Sequence, residues 1–270
     1  MNRFAKLLEK LLFTPSRNAK IIAMAEYFEN TPDPDRGFAL GAITRDLSLN
    51  NLKPTQLRTL TKSRVDPELF DMSYDYVGDM AETISLIWPK HTNRVLKKQR
   101  LPQLGELISA LQTKSKIALQ TYVTELLDCA SVTERWAIIK MVTGGLRVGV
   151  SARLAKTSLA EYSGKDLTEI EKIWHGIAVP YTELFSWLDG LADRPCIAPD
   201  QIFHPLMLSN PIDAQHDFDC LNPVDYEAEW KWDGIRVQLL LNAFAISETA
   251  GKNPEKQAKT RVFSRTGDDI

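Results

Sequence analysis

The stretch "SVTERWAIIKMVTGG", Ser131 to Gly145, decides the fold class of the N-terminal two thirds of the chain. Its apolar residues recur at three- and four-residue spacing, which predicts one buried face of a helix. Ser131 followed three residues later by Glu134 is the pattern of a capping box, in which each side chain binds the backbone N–H of the other residue. Two glycines, Gly144 and Gly145, then end the periodic run. The stretch therefore carries a helix with its own start and stop signals.

The same spacing recurs along most of the first 190 residues, while strand-like alternation is scarce. Pro89 ends one of these periodic runs, since proline is found just after helices. The sequence therefore predicts an all-helical domain over residues 1–194. The stretches that carry the pattern are "FAKLLEKLLF" (4–13), "NAKIIAMAEYF" (18–28), "AETISLIW" (81–88), "LPQLGELISALQ" (101–112) and "KIALQTYVTELL" (116–127).

The composition and the apolar periodicity of the sequence change after residue 194. Four prolines between residues 195 and 211 predict an extended linker. The period then switches to two, and "IRVQLLLNAF" (235–244) and "TRVFSR" (260–265) are predicted strands joined by a polar loop. Two strands cannot bury a core unaided. Residues 212–270 are therefore predicted to form an incomplete α+β domain, which makes the chain multi-domain.

Composition excludes several classes of protein. Apolar residues make up 44% and charged residues 25% of the chain, as in globular proteins, and no apolar run approaches the ~20 residues of a membrane span. Three scattered cysteines without a CxxC motif indicate reduced thiols in the cytoplasm and no disulfide framework or zinc site. The net charge of −2 gives no hint of a nucleic-acid partner, but residues 53–64 and 90–100 are basic runs that could line phosphates or form solvated faces.

Lys231 lies between two tryptophans, ahead of a predicted strand. A protonated lysine attacks nothing, so a nucleophilic lysine needs desolvation or neighbouring cations. Trp230 and Trp232 could supply apolar walls, and Arg236 and Arg265 could supply positive charge. The same letters also fit a surface lysine before a D-G turn. The short motif alone leaves both readings open.

Several stretches resemble ATP-dependent DNA ligases, in the order those proteins have them. "KWDGIR" (231–236) matches the KxDGxR motif of covalent nucleotidyltransferases, which include DNA ligases, RNA ligases and mRNA capping enzymes. "HPLMLSNP" (204–211) and "FSRTGDDI" (263–270) resemble flanking parts of the adenylation domain. "LFDMSYDYVGDMAETISLIWP" (69–89) and "GGLRVGVSARL" (144–154) resemble the helical DNA-binding domain that precedes it in multi-domain ligases.

The resemblance implies roles for individual residues. Lys231 would be the catalytic nucleophile that takes AMP, and Glu229 would contact the adenine base. Arg236 would lie near the ribose and phosphate of ATP, and Arg265 would contact the phosphate and later the nicked strand.

In the helical domain, the resemblance implies contacts to the DNA backbone from exposed N–H groups near Gly149, from the Ser151 hydroxyl and from the cations Arg147 and Arg153. Read without the resemblance, this segment is an ordinary helix end with a glycine bend.

The resemblance also implies ATP and Mg²⁺ as cofactors and nicked duplex DNA as the partner of a monomeric cytoplasmic enzyme, nucleoid-associated if the source is bacterial. Such an enzyme seals nicks in DNA repair, replication and recombination. The later ligase motifs do not follow residue 270, so the magnesium ligands are not identifiable and this chain is expected to be a C-terminally truncated form, inactive alone. Asp75, Asp79 and Glu82 are expected to cap a helix or lie on its surface.

Two alternatives remain open. The chain could be a non-catalytic helical module that binds duplex DNA. It could also be an mRNA capping enzyme, although the long helical region before the lysine motif favours a ligase.

Overall fold

The structure is a computed structural model, and it describes residues 1–49, 52–89, 100–197, 202–204, 211–213, 217, 221–230, 232–241, 260–265 and 270. The chain divides into two compact units. The first comprises Met1–Leu167 and Ile177–Pro195, and the second comprises Thr168–Gly176 and Cys196–Ile270.

The described residues are mostly helical, which confirms the predicted class of the N-terminal region. Each stretch predicted as a helix is confirmed. The incomplete nucleotidyltransferase domain stays a prediction. The helices are α1 (Asn2–Phe13), α2 (Arg17–Asn30), α3 (Asp35–Thr44), α4 (Pro54–Lys62), α5 (Pro67–Val77), α6 (Met80–Ile87), α7 (Leu104–Thr113), α8 (Lys116–Cys129), α9 (Val132–Val142), α10 (Ala152–Ser163), α11 (Leu167–Ile173) and α12 (Thr182–Leu188). The strands are β1 (Val237–Leu241) and β2 (Thr260–Ser264).

Helix α9 has the predicted start and stop. The Ser131 hydroxyl accepts from the Glu134 N–H at 3.4 Å, and the Glu134 carboxylate accepts from the Ser131 N–H at 3.0 Å. The capping box is therefore confirmed. Gly144 takes a left-handed conformation, with φ of 69°, just after the helix ends at Val142.

Helices α2 and α10 pack side by side and run in the same direction. Near their N-terminal ends, the Lys20 ammonium of α2 donates to the carbonyls of Val148 and Gly149, just before α10. Near their C-terminal ends, Phe28 of α2 and Tyr162 of α10 lie 6.5 Å apart between ring centroids. The N-termini of the two helices are consequently at the same end of the pair.

Helix α3 was not among the predicted helical stretches, because two of its ten residues are glycines and glycine is a poor helix former. Its packing explains Gly37. A Cβ at Gly37 would lie 1.5 Å from the Pro180 carbonyl oxygen, so only glycine fits there. The contact holds α3 against the segment that precedes α12.

In the second unit, the two strands pair antiparallel, with Val237 opposite Ser264. Both predicted strands are confirmed. Phe263 of β2 is fully buried, with its ring centroid 4.6 Å from that of His175 and 5.6 Å from that of Phe203. These three rings form a small core on one face of the strand pair.

Within the described part of the chain, every helix is too short or too polar to span a lipid bilayer.

Candidate functional site

Four residues that the sequence predicted as a group line one concave surface of the first unit: Arg147, Gly149, Ser151 and Arg153. Gly149 has φ of 65°, a left-handed conformation that glycine adopts without strain. Ser151 is the N-cap of α10, and its hydroxyl accepts from the Leu154 N–H at 3.2 Å. Arg147 and Arg153, on either side of the bend, are exposed.

Three further cations line the same surface, and the sequence did not single them out: Arg17, Lys20 and Arg45. Arg17 and Lys20 lie in the first turns of α2, and Arg45 directly follows α3. They come from parts of the chain about a hundred residues or more before Arg147. We call this set of seven residues the basic surface: Arg17, Lys20, Arg45, Arg147, Gly149, Ser151 and Arg153.

The N-termini of two helices reach the basic surface. Ser16 caps α2 as Ser151 caps α10, and its hydroxyl accepts from the Ala19 N–H at 3.4 Å. The first turn of a helix carries unpaired N–H groups and the positive end of the helix dipole, so it favours anions. Neither α2 nor α10 has an acidic residue in its first turn to take that place.

Three arginines of the basic surface are not balanced by carboxylates within the described part of the chain. In the described parts of the chain, Arg17, Arg45 and Arg147 form no ion pair, and no Asp or Glu lines the surface. Arg36 shows the contrast, because its guanidinium is paired with Asp189 at 2.6 Å.

Two of the four cations in the basic run over residues 53–64 are paired with carboxylates. Lys62 is paired with Asp71 at 2.6 Å and Arg64 with Asp128 at 3.3 Å. The second basic run, 90–100, lies outside the described residues except for Arg100. Of the clusters with described positions, the basic surface is therefore the better candidate for an anionic ligand.

Cations, a serine cap and helix N-termini are the groups that contact phosphate oxygens in nucleic-acid complexes. Such contacts fix the position of a protein on a duplex without reading the bases. The basic surface has the chemistry of a site for a phosphate backbone.

In the second unit, two predicted ATP-binding residues lie at the same end of the strand pair. Arg236 directly precedes β1 and Arg265 directly follows β2, so they flank the register pair Val237–Ser264. Both are exposed. The arrangement brings two positive charges to the same end of this strand pair.

The structure says less about the other two predicted ATP-binding residues. Glu229 is exposed, and Lys231 lies outside the described residues. Trp230 and Trp232, which could supply apolar walls, have exposed fractions of 86% and 87%, and whether they flank the amine of Lys231 stays a prediction. Both lie in the irregular segment before β1, while the small core of this unit forms around Phe263.

Among the described residues, no group of three or more His, Cys, Asp or Glu side chains lies close enough to hold a metal ion. No residue is therefore assigned to Mg²⁺. Asp79 has the expected capping role, since its carboxylate accepts from the Glu82 N–H at 2.9 Å at the start of α6 and pairs with Lys140.

Comparisons with known proteins agree with the sequence resemblance. Residues 1–160 match the family model described as DNA ligase N terminus. A probable DNA ligase of Koribacter versatilis (strain Ellin345) is 24% identical over 289 aligned positions, which cover 100% of this chain and 46% of that protein. The chain thus spans about half the length of this curated relative.

Proposed function

The chain belongs to the DNA ligase family as an N-terminal region of the ATP-dependent type, since the family model matches more than half of its residues, and on that premise we propose that it holds duplex DNA for nick sealing. The helical first unit would grip the sugar–phosphate backbone. The second unit would contribute the lysine motif of the adenylation domain. The nicked duplex is the proposed partner of a monomeric cytoplasmic protein that acts in repair, replication and recombination.

The convergence of five cations and two helix N-termini at the basic surface carries the proposal for DNA binding. A ligase must act at any nick, so contacts to phosphates suit it better than contacts to bases. Its affinity for duplex should fall as salt rises, since each neutralised phosphate releases counterions.

Fluorescence anisotropy with two labelled duplexes of unrelated sequence tests this proposal. We expect equal affinities for both duplexes and a steep loss between 50 and 200 mM salt. Affinity that does not respond to salt, or that depends on the sequence of the duplex, would contradict it.

We further propose that Lys231 is the nucleophile of the adenylation step. Its amine would attack the α-phosphorus of ATP, forming an N–P bond and losing a proton as pyrophosphate leaves. Glu229 would contact the adenine, and Arg236 and Arg265 would stabilise the phosphate charge during the attack. The position of these two arginines at the same end of the strand pair supports this assignment.

Two steps would complete the reaction. AMP would pass from the lysine to the 5′-phosphate of a nick, and the adjacent 3′-hydroxyl would then attack that phosphate and expel AMP. Mg²⁺ would offset the charge that develops on the phosphate oxygens, as it does in phosphoryl transfer generally.

Incubation with α-labelled ATP and Mg²⁺ tests the role of Lys231. Label should attach to the wild-type chain and be lost in Lys231→Ala. Lys165→Ala is a matched control, because the Lys165 ammonium lies 5.6 Å from the ring centroid of Trp187 and so is also a lysine beside a tryptophan. Label that survives in Lys231→Ala would contradict the assignment.

The second candidate function is a non-catalytic module that binds duplex DNA. The basic surface favours it as much as it favours a ligase, because that surface lies entirely within the first unit. A wild-type chain that binds duplex but takes no label would select this function, and this chain would then be inactive alone.

The proposed domains are 1–194, the linker 195–211, and 212–270. The change of compact unit between Pro195 and Cys196 supports the first boundary, whereas Thr168–Gly176, within the proposed domain 1–194, belongs to the second unit.

A further inference from the structure

Lys20 has an uncommon environment for a lysine. Lys20 is only 9% exposed, and a lysine is almost never buried unless its ammonium has a partner. Its ammonium donates to the Val148 carbonyl at 2.9 Å and to the Gly149 carbonyl at 3.1 Å. It therefore joins the first turns of α2 to the bend that leads into α10.

These two hydrogen bonds determine the direction of two amide groups. The C=O and N–H of a trans peptide point in opposite directions. Both peptides of Gly149 are trans, since the cis peptides of the described residues precede Pro34 and Pro180. Because the carbonyls of Val148 and Gly149 point toward Lys20, the N–H groups of Gly149 and Val150 point away from it.

These two N–H groups have no acceptor within the described part of the chain. Gly149 is exposed and Val150 is half-buried, and both line the concave wall that carries Arg147 and Arg153. Consecutive N–H groups around a left-handed residue form a concavity that binds anions. The bend is thus arranged as an anion site, with a buried cation behind its carbonyls.

We propose that Lys20 is a positioning residue of the basic surface: it holds the carbonyls of residues 148 and 149 inward, so that two backbone amides are preformed to bind one phosphate of the DNA backbone. The inference rests on the proposed DNA-binding function. It adds the residue that keeps the bend at Gly149 in shape.

Gly149 supplies an independent way to disturb the same contact. A Cβ at this position would lie 2.7 Å from the Lys20 nitrogen, and the φ of 65° is unfavourable for alanine. Gly149→Ala would therefore displace the ammonium from its carbonyls without removing its charge. The effects of Lys20→Met and Gly149→Ala should not add, because both break the same contact.

The test compares Lys20→Met with Arg17→Met in the full chain, by duplex anisotropy at several salt concentrations. Arg17 is a matched control, since it is a cation of the same helix and the same surface but is exposed. One phosphate contact contributes about −0.9 to the slope of log affinity against log salt. At about 0.1 M salt, Arg17→Met should therefore lose about eightfold in affinity. Lys20→Met should lose roughly tenfold more, which corresponds to about one hydrogen bond to a charged oxygen, because the two amides are no longer held in position for the phosphate.

Hydrogen exchange of the Gly149 and Val150 amides is followed by NMR with and without duplex. The protection that the duplex gives these two amides should not change if a variant alters only the overall stability. In the wild type, bound duplex should slow the exchange of both amides, and in Lys20→Met it should not. Thermal melting checks that each variant folds. If Lys20→Met does not fold, Gly149→Ala tests the role of Lys20 instead. The same loss of duplex affinity and of amide protection is expected for it.

Two failures are distinguishable. A wild-type chain that does not bind duplex overturns the proposed function and this inference with it. A wild-type chain that binds, with variants at Lys20 and Gly149 no weaker than Arg17→Met and with both amides still protected, leaves the proposed function standing and overturns the role of Lys20.

Discussion

Neutralising Arg147 and Arg153 together should weaken duplex binding and make it less sensitive to salt. Both side chains are exposed on the basic surface, at either side of the bend at Gly149. Methionine keeps most of the apolar stem of each side chain and removes the charge. The double variant Arg147→Met, Arg153→Met therefore changes the electrostatics with little change in packing.

The cations of the surface set the magnitude. Four exposed arginines line it, and each phosphate they neutralise contributes about −0.9 to the slope of log affinity against log salt, so the limiting slope is roughly −3.6. Removing two of them should reduce it to roughly −1.8. Between 50 and 200 mM salt the wild type should then lose about 150-fold in affinity and the double variant about 12-fold.

Anisotropy at four or more salt concentrations measures both slopes. Lys62→Met, Arg64→Met is the control, because it also removes two positive charges from the first unit, but away from the basic surface, at side chains near Asp71 and Asp128. The control slope should match that of the wild type. Equal slopes for the wild type and the double variant at Arg147 and Arg153, or an equal reduction in the control, would refute the assignment of the DNA-binding surface.

Three further expectations concern stability. Ser131→Ala should cost about 1 kcal/mol in chemical denaturation through loss of the α9 cap, whereas Ser115→Ala, at an N-cap without a side-chain hydrogen bond, should cost little. Burial raises the pKa of Asp79, but hydrogen bonds from Lys140 and a backbone N–H outweigh it and leave the pKa below its usual value. The stability this carboxylate contributes should therefore be present above about pH 4 and be lost as pH falls through the lowered pKa, and denaturation of Asp79→Asn against pH should lack this component. Phe28→Ala should cost about 3–5 kcal/mol in the same assay, because Phe28 is fully buried between α2 and its neighbours.

Sequence signals led to correct predictions where the relevant contacts are local. The capping box of Ser131 and Glu134 and the glycine end of α9 involve residues within one or two turns, and the structure has both. Helix α3 was missed because its glycines lower local helix propensity. The reason for Gly37 lies in the carbonyl of Pro180, which is remote in sequence.

The candidate site shows the same limit. Arg147 and Arg153 could be selected because they flank a short motif, whereas Arg17, Lys20 and Arg45 become its neighbours only when α2, α3 and α10 pack. The serine cap before α2, which resembles the one before α10, was a signal in the sequence that could have pointed to Arg17 and Lys20.

The two tryptophans next to Lys231 in the sequence show a related limit. Tryptophan is apolar, but a tryptophan shields a neighbour only where other residues pack around it. Trp230 and Trp232 precede β1 in an irregular exposed segment, so their apolar character does not place them in a core.

The most direct measurement is an NMR titration of the full chain with a short nicked duplex, with the amide shifts mapped onto the chain. The largest shifts should fall in two stretches distant in sequence, at the start of α2 around Arg17 and Lys20 and from Arg147 to Arg153, with smaller shifts near Arg45. Shifts concentrated on the exposed face of α5 around Tyr76, with the starts of α2 and α10 unchanged, would contradict the account.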